Sequence, residues 1–174
     1  MKKVCFLLLL LTASVNAQSL EFGVKGGANF SNVDSNDYDA STLTSYYFGA
    51  FAELNVFENL SIQPEVLYSS QGAQIDDADD IELNYINIPI LAKFYLTSKT
   101  LSLEAGPQFG FLLDSNVPNQ FETKSYDFSV VGGIGYNLTK NISVHARYVA
   151  GLTDASKNAE VTNTVFQVGV GYKF

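Results

Sequence analysis

The chain has no tryptophan, one cysteine and one histidine in 174 residues, and only 16% of its residues are charged. With His145 as the sole histidine, a multi-histidine metal site is excluded and a histidine-based catalytic triad has no special support. The single cysteine, Cys5, leaves no pair for a disulfide. Basic residues are scarce as well: 10 Lys and Arg stand against 18 Asp and Glu, a formal charge of -8, which argues against nucleic acid as a partner. A long hydrophobic run is also missing. The apolar stretch Val4 to Leu11 falls far short of the roughly 20 residues a spanning helix needs, and no later segment supplies one.

What that short run does fit is a secretory signal. Lys2 and Lys3 precede it, and Val15-Asn16-Ala17 offers small residues at the spacing a signal peptidase uses, so residues 1–17 read as a signal peptide of Sec type with Gln18 as the mature start. Cys5 is then lost on export, which suits an oxidising periplasmic transit. Gln18, not a cysteine, follows the cleavage site, so lipidation is not expected. Removal of Lys2 and Lys3 takes the formal charge from -8 to -10.

The rest, residues 18–174, reads as one domain of eight β-strands. Its last ten residues alternate strictly, Phe166, Val168, Val170, Tyr172 and Phe174 against Gln167, Gly169, Gly171 and Lys173, and end on an aromatic. The same period-2 pattern marks Leu20–Phe30, Thr44–Leu54, Leu60–Ser69, Leu83–Leu96, Leu101–Phe111, Ser125–Leu138 and Ile142–Leu152. Polar segments at Ser31–Leu43, Gly72–Ile81, Asp114–Lys124 and Thr153–Asn163 form long connections, and short turns fall at Asn55–Asn59, Thr97–Thr100 and Thr139–Asn141. A repeat supports the count: Asn59-Leu60-Ser61-Ile62, Thr100-Leu101-Ser102-Leu103 and Asn141-Ile142-Ser143-Val144 place their serines 41 positions apart. The repeating unit is a hairpin.

The two faces differ in kind. Glu21, Lys25, Glu53, Glu65, Lys93, Glu104, Asp127, His145, Arg147 and Lys173 all share the parity opposite to the apolar stripes. A charge facing lipid near the midplane would cost about 2–4 kcal/mol, so in a membrane the charged parity must point inward. Aromatics cluster near both strand ends, Phe30, Tyr46, Tyr68 and Tyr126 at one and Phe94, Tyr136, Tyr172 and Phe174 at the other, as in two interfacial girdles. Ten of the 13 glycines fall on the inward parity, where they make room for long side chains. The expected architecture is therefore all-β, an eight-stranded antiparallel up-and-down transmembrane barrel with a filled polar lumen. Pro64 and Pro107, on outward positions, predict a bulge or a strand end.

Gly23-Val24-Lys25-Gly26-Gly27-Ala28-Asn29-Phe30-Ser31, Pro64-Glu65-Val66-Leu67-Tyr68, Tyr85 to Tyr95 (Y-I-N-I-P-I-L-A-K-F-Y) and Gly106-Pro107-Gln108-Phe109-Gly110 carry a resemblance that spans nearly all of the mature chain. It resembles the outer-membrane β-barrel proteins of the Bacteroidota, the PorT or porin-like family, as an OmpX-like eight-stranded barrel. The resemblance implies a place in the cell outer membrane, and its PorT branch a link to protein secretion, for which no motif here speaks.

Candidate chemistry is sparse. Lys25, Glu53, Glu65, Lys93, Glu104, His145, Arg147 and Lys173 form a luminal charge network. Glu65, Glu104, His145 and Arg147 would be the core of an ion relay or substrate site, but a paired network bracing the lumen is preferred, since unpaired charges there are costly. Asp76-Asp77-Ala78-Asp79-Asp80 lacks the spacing of an EF-hand and reads as a solvated loop. Gly132-Gly133-Ile134-Gly135 is followed by neither lysine nor helix and is no phosphate loop. The matches to Asn-x-Ser/Thr at Asn29, Asn59, Asn137 and Asn141 suit turn chemistry. No catalytic residue, cofactor or metal ligand is assigned, and an enzyme is not expected. Tyr172 and Phe174 resemble the C-terminal signal read by barrel-assembly machinery, which with outer-membrane lipid is an expected partner. A surface partner is unidentified. The leading function is a structural or surface-interaction barrel; the alternatives are a narrow channel or secretion accessory and, less favoured, a soluble lipocalin-like binding barrel, whose inside and outside would be reversed.

Overall fold

The computed structural model describes residues 20–34, 43–73, 81–115, 126–152 and 162–174. The signal segment 1–17, Gln18 and the acidic run Asp76–Asp80 lie outside them. Eight strands follow in order: β1 (Leu20–Asp34), β2 (Leu43–Phe57), β3 (Leu60–Ala73), β4 (Ile81–Thr97), β5 (Leu101–Ser115), β6 (Tyr126–Asn137), β7 (Ile142–Gly151) and β8 (Thr162–Lys173). Each pairs antiparallel with its neighbours, and β8 returns to β1, so the sheet is a closed barrel with no free edge. Closure satisfies every strand's backbone from within the sheet, the condition for crossing a bilayer with strands.

Following one row of partners round the barrel leads from Ser45 through Asn29, Gln167, Arg147, Gly133, Glu104, Lys93 and Ser61 to Asn55, ten residues further along β2. A stagger of this kind tilts the strands, and at eight strands it leaves an interior only wide enough for side chains.

The strands run longer than their apolar stripes. Ser31 to Asp34, Gly72 to Ala73, Ile81 and Asp114 to Ser115 continue the ladder into segments whose polar sequences predict loops. Hydrophobic alternation marks only the part of a strand that faces lipid, while backbone pairing continues beyond it. The prolines also behave differently from expectation. Register is the same on either side of Pro64 in the β2–β3 pair and of Pro107 in the β4–β5 pair, and the irregularities fall instead at Asn55/Phe57, Asn84/Tyr85 and Tyr95/Thr97, close to strand ends. Each proline withholds one donor without adding a residue, so no slip results.

The turn between β4 and β5 is tight. Thr100 N donates to Thr97 O at 2.6 Å, and the two residues between, Ser98 and Lys99, both have positive φ, 26° and 59°. Two successive positive φ values are the mark of the hairpin turn whose twist matches the flanking strands.

Phe22, Val24, Phe48, Val66, Leu103, Ile134, Val170 and Tyr172 are among the large apolar side chains left exposed on the outer face, many of them about half exposed. A belt of this extent exceeds anything a water-soluble monomer leaves uncovered. Lys25, Glu53, Glu65, Lys93, Glu104, His145 and Arg147 are buried inside. The arrangement is apolar outside and charged inside, the opposite of a lipocalin.

Candidate functional site in the barrel interior

Arg147 on β7 is the hub. Its guanidinium donates to both carboxylate oxygens of Glu65, Nη1 to Oε2 and Nη2 to Oε1, each at 2.9 Å, and reaches Glu104 Oε2 through Nε at 2.9 Å and Nη2 at 2.7 Å. A planar fork gripping one carboxylate in two places and a second from its side is a geometry that lysine cannot supply. The side chain passes over Gly133, its partner on β6, where an added Cβ would stand 2.8 Å from Arg147 Cγ. A glycine is required there for the arginine to lie flat and meet Glu104 on β5.

Glu65 also accepts from Lys25 at 2.8 Å and from Gln63 Nε2 at 2.6 Å. Gln63 in turn accepts from Lys93 Nζ at 3.1 Å, and Lys93 sits 3.5 Å from both Glu53 and Glu104. Glu53 takes the Tyr95 hydroxyl and lies 3.6 Å from Lys173, which bonds Glu21 at 2.8 Å near the mouth at the short-turn end. Four cations, Lys25, Lys93, Arg147 and Lys173, therefore face four carboxylates, Glu21, Glu53, Glu65 and Glu104. The network is neutral and continuous, as buried ions must be if their desolvation is to be offset.

Of the residues named from sequence, Lys25, Glu53, Glu65, Lys93, Glu104, Arg147 and Lys173 come together in this network. His145 does not join an ion pair. Its Nε2 shares a 2.5 Å hydrogen bond with the Tyr47 hydroxyl. Gln63, Tyr95 and Tyr47 were not singled out from sequence, although all three lie on the inward parity. Tyr172 and Phe174 sit outside, their rings edge-on with centroids 5.9 Å apart, and Phe174 N donates to Phe22 O at 3.0 Å.

A second layer lies above the first. Leu67, Leu91, Val131, Val149 and Val165 are buried, and each stands one inward step toward the long connections from Glu65, Lys93, Gly133, Arg147 and Gln167 respectively. Leu91, Val131, Val149 and Val165 form one cluster. Higher still, Asn29 donates to Ser69 Oγ at 2.9 Å and to Ser70 O at 2.8 Å, and Gln167 donates to Asn29 Oδ1 at 2.9 Å. On the short-turn side of the apolar layer, a polar pocket between Lys25, Glu53, Gln63, Lys93 and Glu104 has room for about one water molecule. The lumen thus has a charged half, an apolar layer and a polar cap, in which the Asp127 carboxylate accepts from Ser129 Oγ at 3.4 Å. Among the described residues no group of three or more His, Cys, Asp or Glu could hold a metal ion.

Comparison with known proteins agrees with this architecture. Residues 16–157 match the family described as outer membrane protein beta-barrel domain. The chain belongs to that family. No curated protein sequence matches it. Among solved structures the barrel is similar to Neisserial surface protein A, with a TM-score of 0.64 at 18% identity over 90% of this chain and 99% of that one. It is also similar to Ail, the attachment invasion locus protein of Yersinia pestis, at 0.59 and 18% identity over 88% and 98%. OprG of Pseudomonas aeruginosa follows at 0.52 and 11% identity over 90% and 97%. At these identities the likeness is one of fold: a closed eight-stranded outer-membrane barrel. Its apolar belt faces lipid.

Proposed function

We propose that this outer-membrane barrel is a structural or surface-interaction protein whose interior is a brace and not a path. The observation that carries this reading is the neutral network around Arg147 capped by the Leu67, Leu91, Val131, Val149 and Val165 layer, which commits the lumen to its own side chains. With the interior occupied and the outer wall in lipid, a partner must be met at the ends. The four connections opposite the short turns carry nine acidic residues and two lysines in their sequences at 35–42, 74–80, 116–125 and 153–161. Ail has been crystallised with the heparin analogue sucrose octasulfate. A polyanion of that kind suits acidic connections poorly, so the partner chemistry proposed here is cationic.

Within the same reading, residues 1–17 direct export and are removed, Tyr172 and Phe174 are read by the barrel-assembly machinery, and no residue is catalytic. Membership of the PorT-like group of the Bacteroidota rests on the sequence motifs alone. The narrow-channel or secretion-accessory alternative draws on the continuity of the luminal charges, against which the apolar layer speaks.

A deletion strain tests the proposal. It is expected to lose specific surface-bound partners while uptake of small hydrophilic solutes and secretion stay at parental levels. Slower solute uptake or failed secretion with an unchanged set of surface partners would favour the channel or accessory reading instead.

A further inference from the structure

One row of paired residues crosses the seam where the first strand meets the last: Tyr47 on β2, Gly27 on β1, Gly169 on β8 and His145 on β7. The two residues flanking the seam in this row have no side chain, and the two beyond them share a hydrogen bond. A Cβ added to Gly27 would stand 2.9 Å from Tyr47 Cε1, and one added to Gly169 would meet the Tyr47 hydroxyl and lie 3.0 Å from His145 Nε2. The tyrosine therefore lies along the inner wall across both strands of the seam. Three strand spacings, about 14 Å along the sheet, separate β2 from β7. A phenol and an imidazole joined end to end span that distance.

We propose that Tyr47 and His145 form a latch that holds the closing seam shut from inside. It goes beyond the surface role proposed above. The bond joins strands that are neighbours only through the seam, so it exists only when β1 and β8 are paired. Gln167 to Asn29, at 2.9 Å, and Lys173 to Glu21, at 2.8 Å, tie the same two strands above and below it. Phe51 lies over Gly23 and reaches Gly171 in a parallel arrangement, but its side chain has no group to hydrogen-bond across the seam.

The latch is tested by amide hydrogen exchange, read strand by strand by NMR on the mature chain folded in phospholipid bilayers. Loss of one hydrogen bond of ordinary strength, in Tyr47→Phe or His145→Val, is expected to speed exchange in β1 and β8 by about fivefold, with the β3–β4 amides unchanged. The double variant is expected to match either single one, because both remove the same bond. His145→Gln, which keeps an acceptor, is expected to stay closer to the parent than His145→Val. No change at the seam, loosening spread equally over all strand pairs, or additive effects in the double variant would overturn the latch. Should Tyr47→Phe fail to fold, the two His145 variants decide between these outcomes.

Discussion

Arg147 holds two carboxylates that lie on different strands, Glu65 at 82 positions and Glu104 at 43 positions along the chain. Its removal would leave both buried with Lys25 and Lys93 as their remaining counter-charges. Arg147→Met is accordingly expected to destabilise the barrel by about 3–5 kcal/mol, measured by reversible urea unfolding in lipid vesicles, while Arg147→Met combined with Glu104→Gln, which leaves Lys25 on Glu65, Lys93 on Glu53 and Lys173 on Glu21, is expected to recover most of the loss. Equal losses in the single and double variants would show that the fork contributes packing and not charge pairing. At this scale the sequence is half legible. Parity places every network member inside, because a charge on the lipid side is too costly. It does not say which charge meets which, because partners are set by the stagger of eight strands, a property of closure and of no local segment. Tyr47 and His145 are the sharpest case: neither residue's surroundings in sequence point to the other.

The strands themselves were legible in number, order and facing, and the 41-residue hairpin repeat shows why: each unit must present the same apolar stripe to lipid. Their upper ends were not, since Asp34, Ala73 and Ile81 continue pairing where the apolar pattern has stopped. The short turns are stitched to one another by side chains at repeat positions. Lys99 donates to Asn55 Oδ1, Asn137 Nδ2 to Lys99 O, and Asn141 Nδ2 to Lys173 O. Two of the asparagines in glycosylation-like triplets, Asn137 and Asn141, thus act in turns, whereas Asn29 is luminal. In the β4–β5 turn neither Ser98 nor Lys99 favours positive φ, so Ser98→Asn with Lys99→Gly is expected to raise unfolding stability by about 1 kcal/mol. A decrease would mean that the Lys99 to Asn55 bond outweighs the backbone cost. At the far end of β8, deletion of Phe174 is expected to lower the assembled fraction in outer membranes more than deletion of an equal length from a long connection. Equal membrane levels of the two variants would count against an assembly role for the terminal aromatic.

For the whole molecule, the decisive contrast is between an apolar wall and an interior braced by a neutral network of buried charges. Lipid rewards the first, and Val130→Lys, exposed on that wall near the middle of the span between Tyr126 and Tyr136, is expected to cost about 2–4 kcal/mol in vesicle unfolding, whereas a soluble barrel would tolerate it. The second is stable because the charges of the Arg147 network answer one another, and the apolar layer separates that network from Asp127 at the long-connection end. The most direct measurement is therefore a planar-bilayer recording of the purified, folded chain across a range of voltages. A membrane that stays at its bare conductance is the expected result. Reproducible single-channel steps carried by the parent protein would contradict the filled, braced interior.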